Sequence, residues 1–455
     1  MKTLHVSFGF APDPPGGTEL YVESLCRELG LLGIDCVVAA PGPRNETYRV
    51  HNISVRRFAI DQRRMDVAEL YGDGDLQAAR AFDQILEEER PDLVHQHALT
   101  SACSLQLARR VKGRDLPLVF TYHTPTTTCA RGTLMEWGRV VCDGRLDAER
   151  CAACTLQGLG ASRITSRLFA RTPETAGTLL AWAGLHGGAW TALRMRNLIG
   201  QRHQATTAFF DLADRVIALA PWVRRLLVKN GVPVEKIVDC GHGIATPPIA
   251  RRSPPPTGEG PLWIAHLGRL DPVKGTELLI RAMLGVPDAS IALDIYGVVQ
   301  DESGSLLASE LKRLSQSDIR IQFLPALPHE EVIERLSRYH VVAVPSQWME
   351  TGPLVVLESF AAGVPVIGSA LGGIADKVED GVNGLLVSPP DSVDAWTAVL
   401  TRLCADRQLS RRLAEGIPPI RSATDVAREM ASLYAGLLSA QTPATARVAE
   451  PAGVA

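Results

Sequence analysis

The chain has 455 residues, of which 46% are hydrophobic and 21% are charged. This length favours two domains rather than one core, and the composition is that of an ordinary soluble globular protein. The formal net charge of −3 gives no electrostatic basis for binding nucleic acid. The opening MKTLHVSFGF predicts a first strand rather than a signal peptide, and no apolar stretch reaches membrane-spanning length. We therefore expect a cytoplasmic protein whose nine cysteines are mostly reduced.

The first half of the chain predicts strands that alternate with helices. The strands are expected at 4–8, 35–40, 93–96 and 118–121, and the helices at 19–32 and 75–89. This order is typical of parallel βαβ units in a doubly wound sheet, where ligands bind at the carboxyl ends of the strands. Four candidate residues lie at such ends: Gly16, Gly17, His97 and His123.

The regular alternation stops after His123. Residues 125–155 are polar, rich in glycine and contain four cysteines, and residues 156–212 predict mainly helix. These helices form either a cap on the first domain or a surface that rests on a membrane and covers a lipid-linked acceptor. A strand at 215–218 resumes the alternation, and the proline-rich segment 247–256 predicts a loop or linker.

The second half predicts a more regular α/β repeat. Strands are expected at 262–267, 291–296, 319–324, 341–344, 364–367 and 385–387, with helices at 275–285, 302–316, 329–338, 353–362 and 392–403. We divide the chain into a domain at 1–220, with an insertion at 125–212, and a domain at 221–421. The helix at 422–439 is expected to return to the first domain, and the tail 440–455 predicts disorder.

The stretch WMETGPLVVLESFAAG, residues 348–363, predicts a loop that runs into a buried helix. Glu358 is the only charged side chain between Thr351 and Ala375, and a buried carboxylate is costly unless it accepts hydrogen bonds. Glu350 precedes the helix, whose free N–H groups attract anions. This pattern suits a ligand with phosphates and hydroxyls, such as a nucleotide sugar. A core helix with one salt-bridged glutamate is the alternative.

Arg269 and Lys274 follow the strand at 262–267 in the segment HLGRLDPVKG. An arginine and a lysine at the carboxyl end of a parallel strand can bind two phosphates, the arginine through paired hydrogen bonds and the lysine as a point charge. The alternative is two surface cations in a βα loop.

Together with Glu350 and Glu358, this pair resembles the retaining nucleotide-sugar glycosyltransferases of family 4, which have the GT-B architecture of two Rossmann-like domains facing across a cleft. The resemblance covers nearly the whole chain. It includes the early Gly-Gly loop, PDLVHQH, the HTP segment, GRLDPVKG and VPSQWMETGPLVVLESFAAGVPVIGSALGGIADKVEDGVNGLLV. The spacing of the two glutamates together with Arg269 and Lys274 is its most specific part.

The resemblance implies a role for each matching residue. Arg269 and Lys274 would neutralise the donor diphosphate, Glu358 would accept both ribose hydroxyls, and Glu350 would contact the transferred sugar. The family's phosphate- or sugar-binding amides fall here on Gly352, Leu354 and Val355. Its closely approaching loop falls on Gly16 and Gly17, and its active-site histidine near the sugar and the acceptor falls on His123. Pro353 departs from the family pattern and has no N–H to offer.

The resemblance also implies the reaction, a hexosyl transfer with retention of anomeric configuration. The donor would be a UDP- or GDP-linked sugar, and the acceptor a glycan, a lipid-linked molecule or a small molecule. The leaving phosphate would take the acceptor proton, and no metal would be required. The alternatives are a GT-B epimerase, a phosphorylase-like enzyme, or a non-catalytic scaffold of polysaccharide assembly that binds nucleotide sugars.

The insertion contains Cys129, Cys142, Cys151 and Cys154, and the last two form a C-x-x-C pair. Four thiolates make a closed tetrahedral zinc site, and a Gly-rich segment with few core residues suits stabilisation by a metal. An iron–sulfur cluster and four unrelated thiols are the alternatives. Of the other histidines, His97 is either an acceptor contact or structural, and His242 and His266 are predicted to be structural.

Overall fold

The computed structural model describes residues 1–14, 16–60, 67–245 and 260–441. The predicted proline-rich segment 247–256 lies outside these residues. So does the predicted tail 440–455, apart from residues 440 and 441, which continue the last helix.

Strands and helices alternate along most of the described chain. The strands are β1 (Lys2–Val6), β2 (Asp35–Gly42), β3 (Glu46–Val50), β4 (Ile53–Ala59), β5 (Leu93–Gln96), β6 (Leu118–Tyr122), β7 (Met135–Glu136), β8 (Val140–Val141), β9 (Arg215–Ala218), β10 (Ile237–Asp239), β11 (Leu262–Arg269), β12 (Ile291–Val298), β13 (Ile321–Leu324), β14 (Val341–Val344), β15 (Val366–Ser369) and β16 (Gly384–Val387). The helices are α1 (Gly17–Leu31), α2 (Val67–Tyr71), α3 (Leu76–Glu89), α4 (Leu105–Lys112), α5 (Ala148–Gly158), α6 (Arg163–Ala170), α7 (Glu174–Trp182), α8 (Gly188–Leu212), α9 (Pro221–Lys229), α10 (Thr276–Leu284), α11 (Glu302–Ser315), α12 (Val332–Leu336), α13 (Leu354–Ala361), α14 (Gly372–Ala375), α15 (Val393–Ala405), α16 (Leu409–Glu415) and α17 (Ala423–Gln441).

Two separate sheets carry the fold. The first has the order β10-β9-β6-β5-β1-β2-β4-β3, and the second has the order β13-β12-β11-β14-β15-β16. All neighbouring strands are parallel except β3, which pairs antiparallel with β4. Central strands such as β6 and β14 are buried along their whole length, as expected when helices cover both faces of a parallel sheet. The predicted fold class, two Rossmann-like α/β domains, is confirmed.

The insertion folds onto one long helix. The two-stranded ribbon β7–β8 follows the first sheet's β6, and α5, α6 and α7 then all contact the 25-residue helix α8. Within the described residues, no helix combines the length and the hydropathy that a membrane span requires.

The chain returns to the first sheet at its end. Helix α17 packs on α1, and its Tyr434 hydroxyl makes a 2.6 Å hydrogen bond with the buried His95 on β5. The short strand β10 also joins the first sheet, although the sequence division assigned residues after 220 to the second domain.

The pair β3–β4 was not predicted from the sequence. Strand β3 is short and largely exposed, and β4 contains two adjacent arginines, so the pair lacks the apolar pattern of the central strands. Arg57 is nevertheless buried, because its guanidinium donates to the Pro41 carbonyl at 2.9 Å and forms an ion pair with Asp13. Tertiary partners that the local sequence does not show therefore stabilise this edge of the sheet.

Candidate active site between the two domains

The loop after β11 presents Arg269 and Lys274 at the carboxyl edge of the second sheet. Asp271 caps the short 3₁₀ turn 272–274 by accepting from the Val273 amide at 3.0 Å. Gly275 ends the turn with φ +70°, and a Cβ there would lie 2.0 Å from the Pro345 carbonyl oxygen. Only glycine meets both requirements, so this position fixes the turn that carries Lys274.

Lys274 and Glu350 form a buried ion pair at 2.6 Å. The Ser346 hydroxyl donates to the same carboxylate oxygen at 2.8 Å, and the Lys274 ammonium lies 5.3 Å from the centre of the Trp348 ring. Burial alone would raise the pKa of Glu350, but the Lys274 charge and these hydrogen bonds outweigh burial and lower it. Glu350 is therefore an ionised carboxylate with a fixed position.

Glu358 lies on α13 in a different electrostatic environment. The residue is 9% exposed. Among the described residues, the one ion-pair partner of its carboxylate is His329, whose Nδ1 lies 3.4 Å from Oε1. Burial raises the pKa of Glu358 to about 7 and lowers the pKa of His329, so neither group carries a full charge near neutral pH. Glu358 lines a cleft together with His329 and residues of α1 and α17.

The start of α13 faces the early Gly-Gly loop. The first main-chain hydrogen bond of the helix runs from the Val356 amide to the Pro353 carbonyl, so the amides of Leu354 and Val355 precede the helical ladder. A Cβ on Gly17 would lie 3.9 Å from the Leu354 side chain. The structure thus brings this loop to the helix N-terminus.

Glu19 links the same loop to Arg269. Its carboxylate accepts from the Gly16 amide at 3.0 Å. Burial raises the pKa of Glu19, and the Arg269 guanidinium offsets part of that rise. Arg269 itself donates to Gln300 at 3.3 Å. The two cations, the helix N-terminus and the Gly-Gly loop therefore surround one space between the domains.

The loop that carries Glu350 is attached to the first domain. The Thr351 hydroxyl donates to the His123 carbonyl, and the Met349 amide donates to the Thr133 carbonyl at 3.1 Å. The Trp222 indole donates to the Glu350 carbonyl at 3.0 Å. The Glu350 loop of the second domain is thus held directly against the segment that contains His123.

A chain of hydrogen-bonded imidazoles runs inward from His123. His123 Nε2 lies 3.1 Å from His97 Nδ1, His97 Nε2 lies 3.1 Å from His5 Nδ1, and His5 Nε2 lies 3.1 Å from the Thr3 hydroxyl. Burial lowers the pKa values of His97 and His123 well below the usual range, so these two rings are neutral. His97 is therefore an interior link between His123 and the core.

The inner end of this chain reaches a thiol. The Thr3 hydroxyl lies 3.1 Å from His5 Nε2 and donates to Cys36 at 3.4 Å. A neutral imidazole has one donor nitrogen and one acceptor nitrogen, so the tautomer of each ring sets the direction of the hydrogen bonds along the chain.

His242, for which the sequence predicted a structural role, lies beside His123. Its ring stacks 6.0 Å from His123 and lies 5.0 Å from the Tyr21 ring, and a Cβ on Gly352 would lie 2.6 Å from His242 Nδ1. The residue is 6% exposed, yet neither ring nitrogen has a hydrogen-bond partner among the described residues. Such a group is expensive unless a ligand satisfies it. No local motif could have identified it.

His266, in contrast, has the structural role predicted for it. Its Nδ1 donates to the Ala343 carbonyl at 3.0 Å, and its Nε2 accepts from Thr276 at 2.9 Å. Both ring nitrogens are satisfied within the second domain.

The four insertion cysteines lie near one another but not at metal-ligand spacing. Cys129 is close enough to the other three to influence their pKa values electrostatically. Amides of Trp137 and Gly144 donate to Cys154 and Cys142 at 3.3 and 3.5 Å. In the described chain, ligand atoms within 4.8 Å of one another occur in the sets His5, Cys26, Cys36 and His5, His95, His97, and not among these four sulfurs.

Two family models match the sequence. "Glycosyl transferase 4-like domain" matches residues 16–239, and "Glycosyl transferases group 1" matches residues 250–419. The chain belongs to the group 1 glycosyltransferases. The two matches include the Gly-Gly loop and His123 in the first domain, and Arg269, Lys274, Glu350 and Glu358 in the second.

Curated relatives match over a shorter region. The chain is 34% identical over 157 residues to D-inositol 3-phosphate glycosyltransferase of Nocardia farcinica. This alignment covers 33% of this chain and 34% of that protein. It is 36% identical over 162 residues to the protein of the same name from Mycobacterium bovis. That alignment covers 33% of this chain and 32% of the relative. The chain thus spans about a third of the length of these relatives.

Solved glycosyltransferases share the whole fold. Sucrose-phosphate synthase from Thermosynechococcus elongatus superposes with a TM-score of 0.66 at 19% identity and covers 97% of this chain and 100% of its own. HepE from Anabaena, solved in complex with UDP and glucose, gives a TM-score of 0.62 at 17% identity and covers 96% and 100%. At these identities the likeness concerns the fold alone.

The raised pKa of Glu358 predicts a pH-dependent stability. Between about pH 4.5 and 7 the folded protein retains a proton that the unfolded chain has lost, so the ligand-free protein loses up to about 3 kcal/mol as pH rises. Glu358→Gln removes this loss. Urea unfolding across that range should show that the free energy of unfolding of the variant, relative to that of the unsubstituted protein, increases with pH. This difference should become constant above pH ~7. The exposed control Glu310→Gln should show no such slope.

The unpaired nitrogens of His242 predict opposite effects on stability and activity. His242→Phe keeps a ring against Tyr21 and removes two unsatisfied groups, so the thermal midpoint should stay level or rise. If the nitrogens contact substrate, kcat/KM should fall by about tenfold or more. The matched variant His266→Phe should instead lower the midpoint, because it breaks two hydrogen bonds. Unchanged kcat/KM in His242→Phe would remove His242 from the site.

Proposed function

We propose that the protein transfers a sugar from a nucleoside diphosphate sugar to an acceptor with retention of anomeric configuration. The observation that carries this proposal is the fixed pair Lys274–Glu350, with Arg269 and the free amides of α13 around the same space. Cations and helix amides suit a diphosphate, and an ionised carboxylate beside them suits the hydroxyls of a sugar.

The donor would occupy the cleft with its diphosphate against Arg269 and Lys274 and the amides at Gly352, Leu354 and Val355. Lys274 has three donor hydrogens, so it can bind a phosphate while keeping Glu350 in place. Glu358 would accept hydrogen bonds from the ribose hydroxyls. Because loss of solvation raises the pKa of this carboxyl, the ligand hydroxyls would replace the water that a carboxylate needs. HepE was solved with UDP and UDP-glucose, which supports UDP ahead of GDP.

The reaction would be a hexosyl transfer in which charge develops on the leaving phosphate. Arg269 and Lys274 point at that charge, and such preorganised electrostatic stabilisation is usually a large part of catalysis. We assign the acceptor proton to the leaving phosphate on the same face, as the family resemblance implies, and assign no metal to the chemistry. Gly16 and Gly17 would let the first domain approach the phosphate closely.

The acceptor would bind on the side of the first domain. The His123 ring can exchange a hydrogen bond with a hydroxyl of the sugar or the acceptor. The relatives named D-inositol 3-phosphate glycosyltransferase support a hydroxylated acceptor, and a glycan, a lipid-linked molecule and a small molecule all fit that description. All nine cysteines are free, which supports a reducing, cytoplasmic setting.

We also propose that Cys129, Cys142, Cys151 and Cys154 bind a structural zinc ion. The sulfur donor set and the N–H groups that donate to Cys142 and Cys154 suit such a site, although the sulfurs must move closer to reach ligand spacing. Burial raises the pKa values of Cys142, Cys151 and Cys154, so these thiols would release protons on binding the metal.

A panel of UDP- and GDP-linked sugars should identify a donor that the purified protein hydrolyses or transfers, with the product identified by mass spectrometry. Arg269→Ala should lower kcat by about 10²–10³-fold, because it removes charge stabilisation at the leaving group. Glu358→Ala should mainly weaken donor binding. The control Arg281→Ala removes an exposed arginine paired with Glu277 on α10 and should leave both quantities unchanged.

Other outcomes would favour the alternatives. Interconversion of two nucleotide sugars would favour an epimerase, and tight donor binding without turnover would favour a scaffold. A panel without turnover and without any thermal shift from a nucleotide would reject the proposal.

Elemental analysis should find about one zinc ion per chain. Cys151→Ser with Cys154→Ser should remove the metal and lower the thermal midpoint, while Cys404→Ser, outside the insertion, should change neither. Metal-free protein that is equally stable and active would reject the zinc site.

A further inference from the structure

The helices of the insertion expose apolar side chains that a soluble domain normally buries. Of the 21 large apolar side chains exposed in the described residues, eight lie between residues 140 and 190. The most exposed of these eight is Trp182, at 88%, followed by Ile164 at 82%. Single exposed apolar residues are ordinary, but such a concentration in one structural unit marks an interaction surface.

Helix α6 is amphipathic with its apolar residues outward. Ile164 and Leu168 are one turn apart and therefore share a face, and both are exposed, while Ser166 and Ala170 face the interior. Arg163, Arg167 and Arg171 follow the same spacing beside them and are also exposed.

The α7–α8 hairpin adds a second apolar element. Leu179 and Trp182 lie one turn apart at the end of α7, and Trp190 lies in the first turn of α8, across the short loop 183–187. Residues 175–193 contain no Asp, Glu, Lys or Arg. Since α6 and α7 both pack on α8, we call Ile164, Leu168, Leu179, Trp182 and Trp190 together the insertion surface.

The charge of this region differs from that of the rest of the chain. Residues 151–210 contain six arginines and one acidic residue, Glu174, so their formal net charge is +5, whereas the whole chain carries −3. Three of these arginines are exposed at α6, namely Arg163, Arg167 and Arg171, and Arg171 lies 3.9 Å from Glu149. Arg194 is buried, and Arg196 pairs with Glu149 and Glu174. An anionic bilayer has acyl chains below charged headgroups. Exposed aromatic and aliphatic side chains match the acyl layer, and the arginines beside them match the headgroups. A protein partner or second copy would match the apolar side chains but not require the cationic excess.

We propose that the insertion surface binds the protein to an anionic lipid surface. Trp182, Trp190 and Leu179 insert at the headgroup boundary, and Ile164 and Leu168 do the same from α6, while Arg163 and Arg171 contact lipid phosphates. This binding follows from the insertion alone and does not depend on the reaction.

The position of α8 gives this surface a consequence for the acceptor, and this step rests on the proposed function. Trp190 lies at one end of α8, and Arg202 and Thr206 on the same helix donate to the carbonyls of Thr126 and Thr127, just after His123. Trp190 and Arg202 are about 18 Å apart along the helix axis. A bound membrane would therefore lie within reach of the cleft, which selects a lipid-linked acceptor among the classes above.

The test is flotation of the full chain with vesicles of phosphatidylcholine alone or mixed with phosphatidylglycerol. We expect binding to the anionic vesicles, weaker binding to the neutral ones, and loss of binding at high salt. Leu179→Ser with Trp182→Ser should weaken binding by about tenfold or more. The matched control combines Ile319→Ser and Trp263→Ser, exposed apolar residues of the second domain, and should bind normally.

Two further measurements make the outcome decisive. Brominated lipid should quench tryptophan fluorescence of the unsubstituted protein and quench Trp182→Phe less, although this variant keeps an apolar ring. Sedimentation velocity distinguishes a second copy. Failure to bind anionic vesicles, binding unaffected by the double substitution, or a dimer that the substitution dissociates would each overturn the proposal. Donor hydrolysis without acceptor remains a separate readout, so loss of lipid binding and loss of the transfer reaction are distinguishable.

Discussion

The attachment of the Glu350 loop to both domains is the constraint on which the candidate site depends. The Glu350 carbonyl accepts from the Trp222 indole of the first domain and from the Gly373 amide of the second, at 3.0 and 2.7 Å. A Cβ on Gly373 would lie 2.8 Å from that same oxygen, so this close approach requires glycine. With the backbone held from both sides, the carboxylate can meet Lys274 at a fixed distance.

Electrostatics then separates the two glutamates of α13 and its preceding loop. Both are buried. Glu350 has a cation and a hydroxyl as partners and is ionised, whereas Glu358 has His329 as its one ion-pair partner among the described residues and takes up a proton near neutral pH. The sequence shows two similar side chains eight positions apart. Their difference arises because only one of them faces the lysine of another loop.

The insertion connects the cleft to a group of exposed apolar side chains. Its long helix α8 contacts the segment after His123 at one end and carries exposed tryptophan at the other. The domain that contains His123 thus also presents apolar side chains and arginines to solvent. The sequence left two readings of these helices open, a cap on the first domain and a membrane-resting surface, because helical spacing alone does not show which apolar residues are buried.

The sequence by itself determined the two-domain α/β fold and the cluster of Arg269, Lys274, Glu350 and Glu358, because apolar periodicity and short fixed spacings carry that information. It missed the edge pair β3–β4, whose buried Arg57 depends on distant carbonyls, and it gave no sign that His242 stacks on His123. Only the tertiary structure decided the position of His242, the contact between His123 and His97 and the exposure of Trp182. Each of these depends on which groups from remote segments come into contact, and local pattern does not encode that.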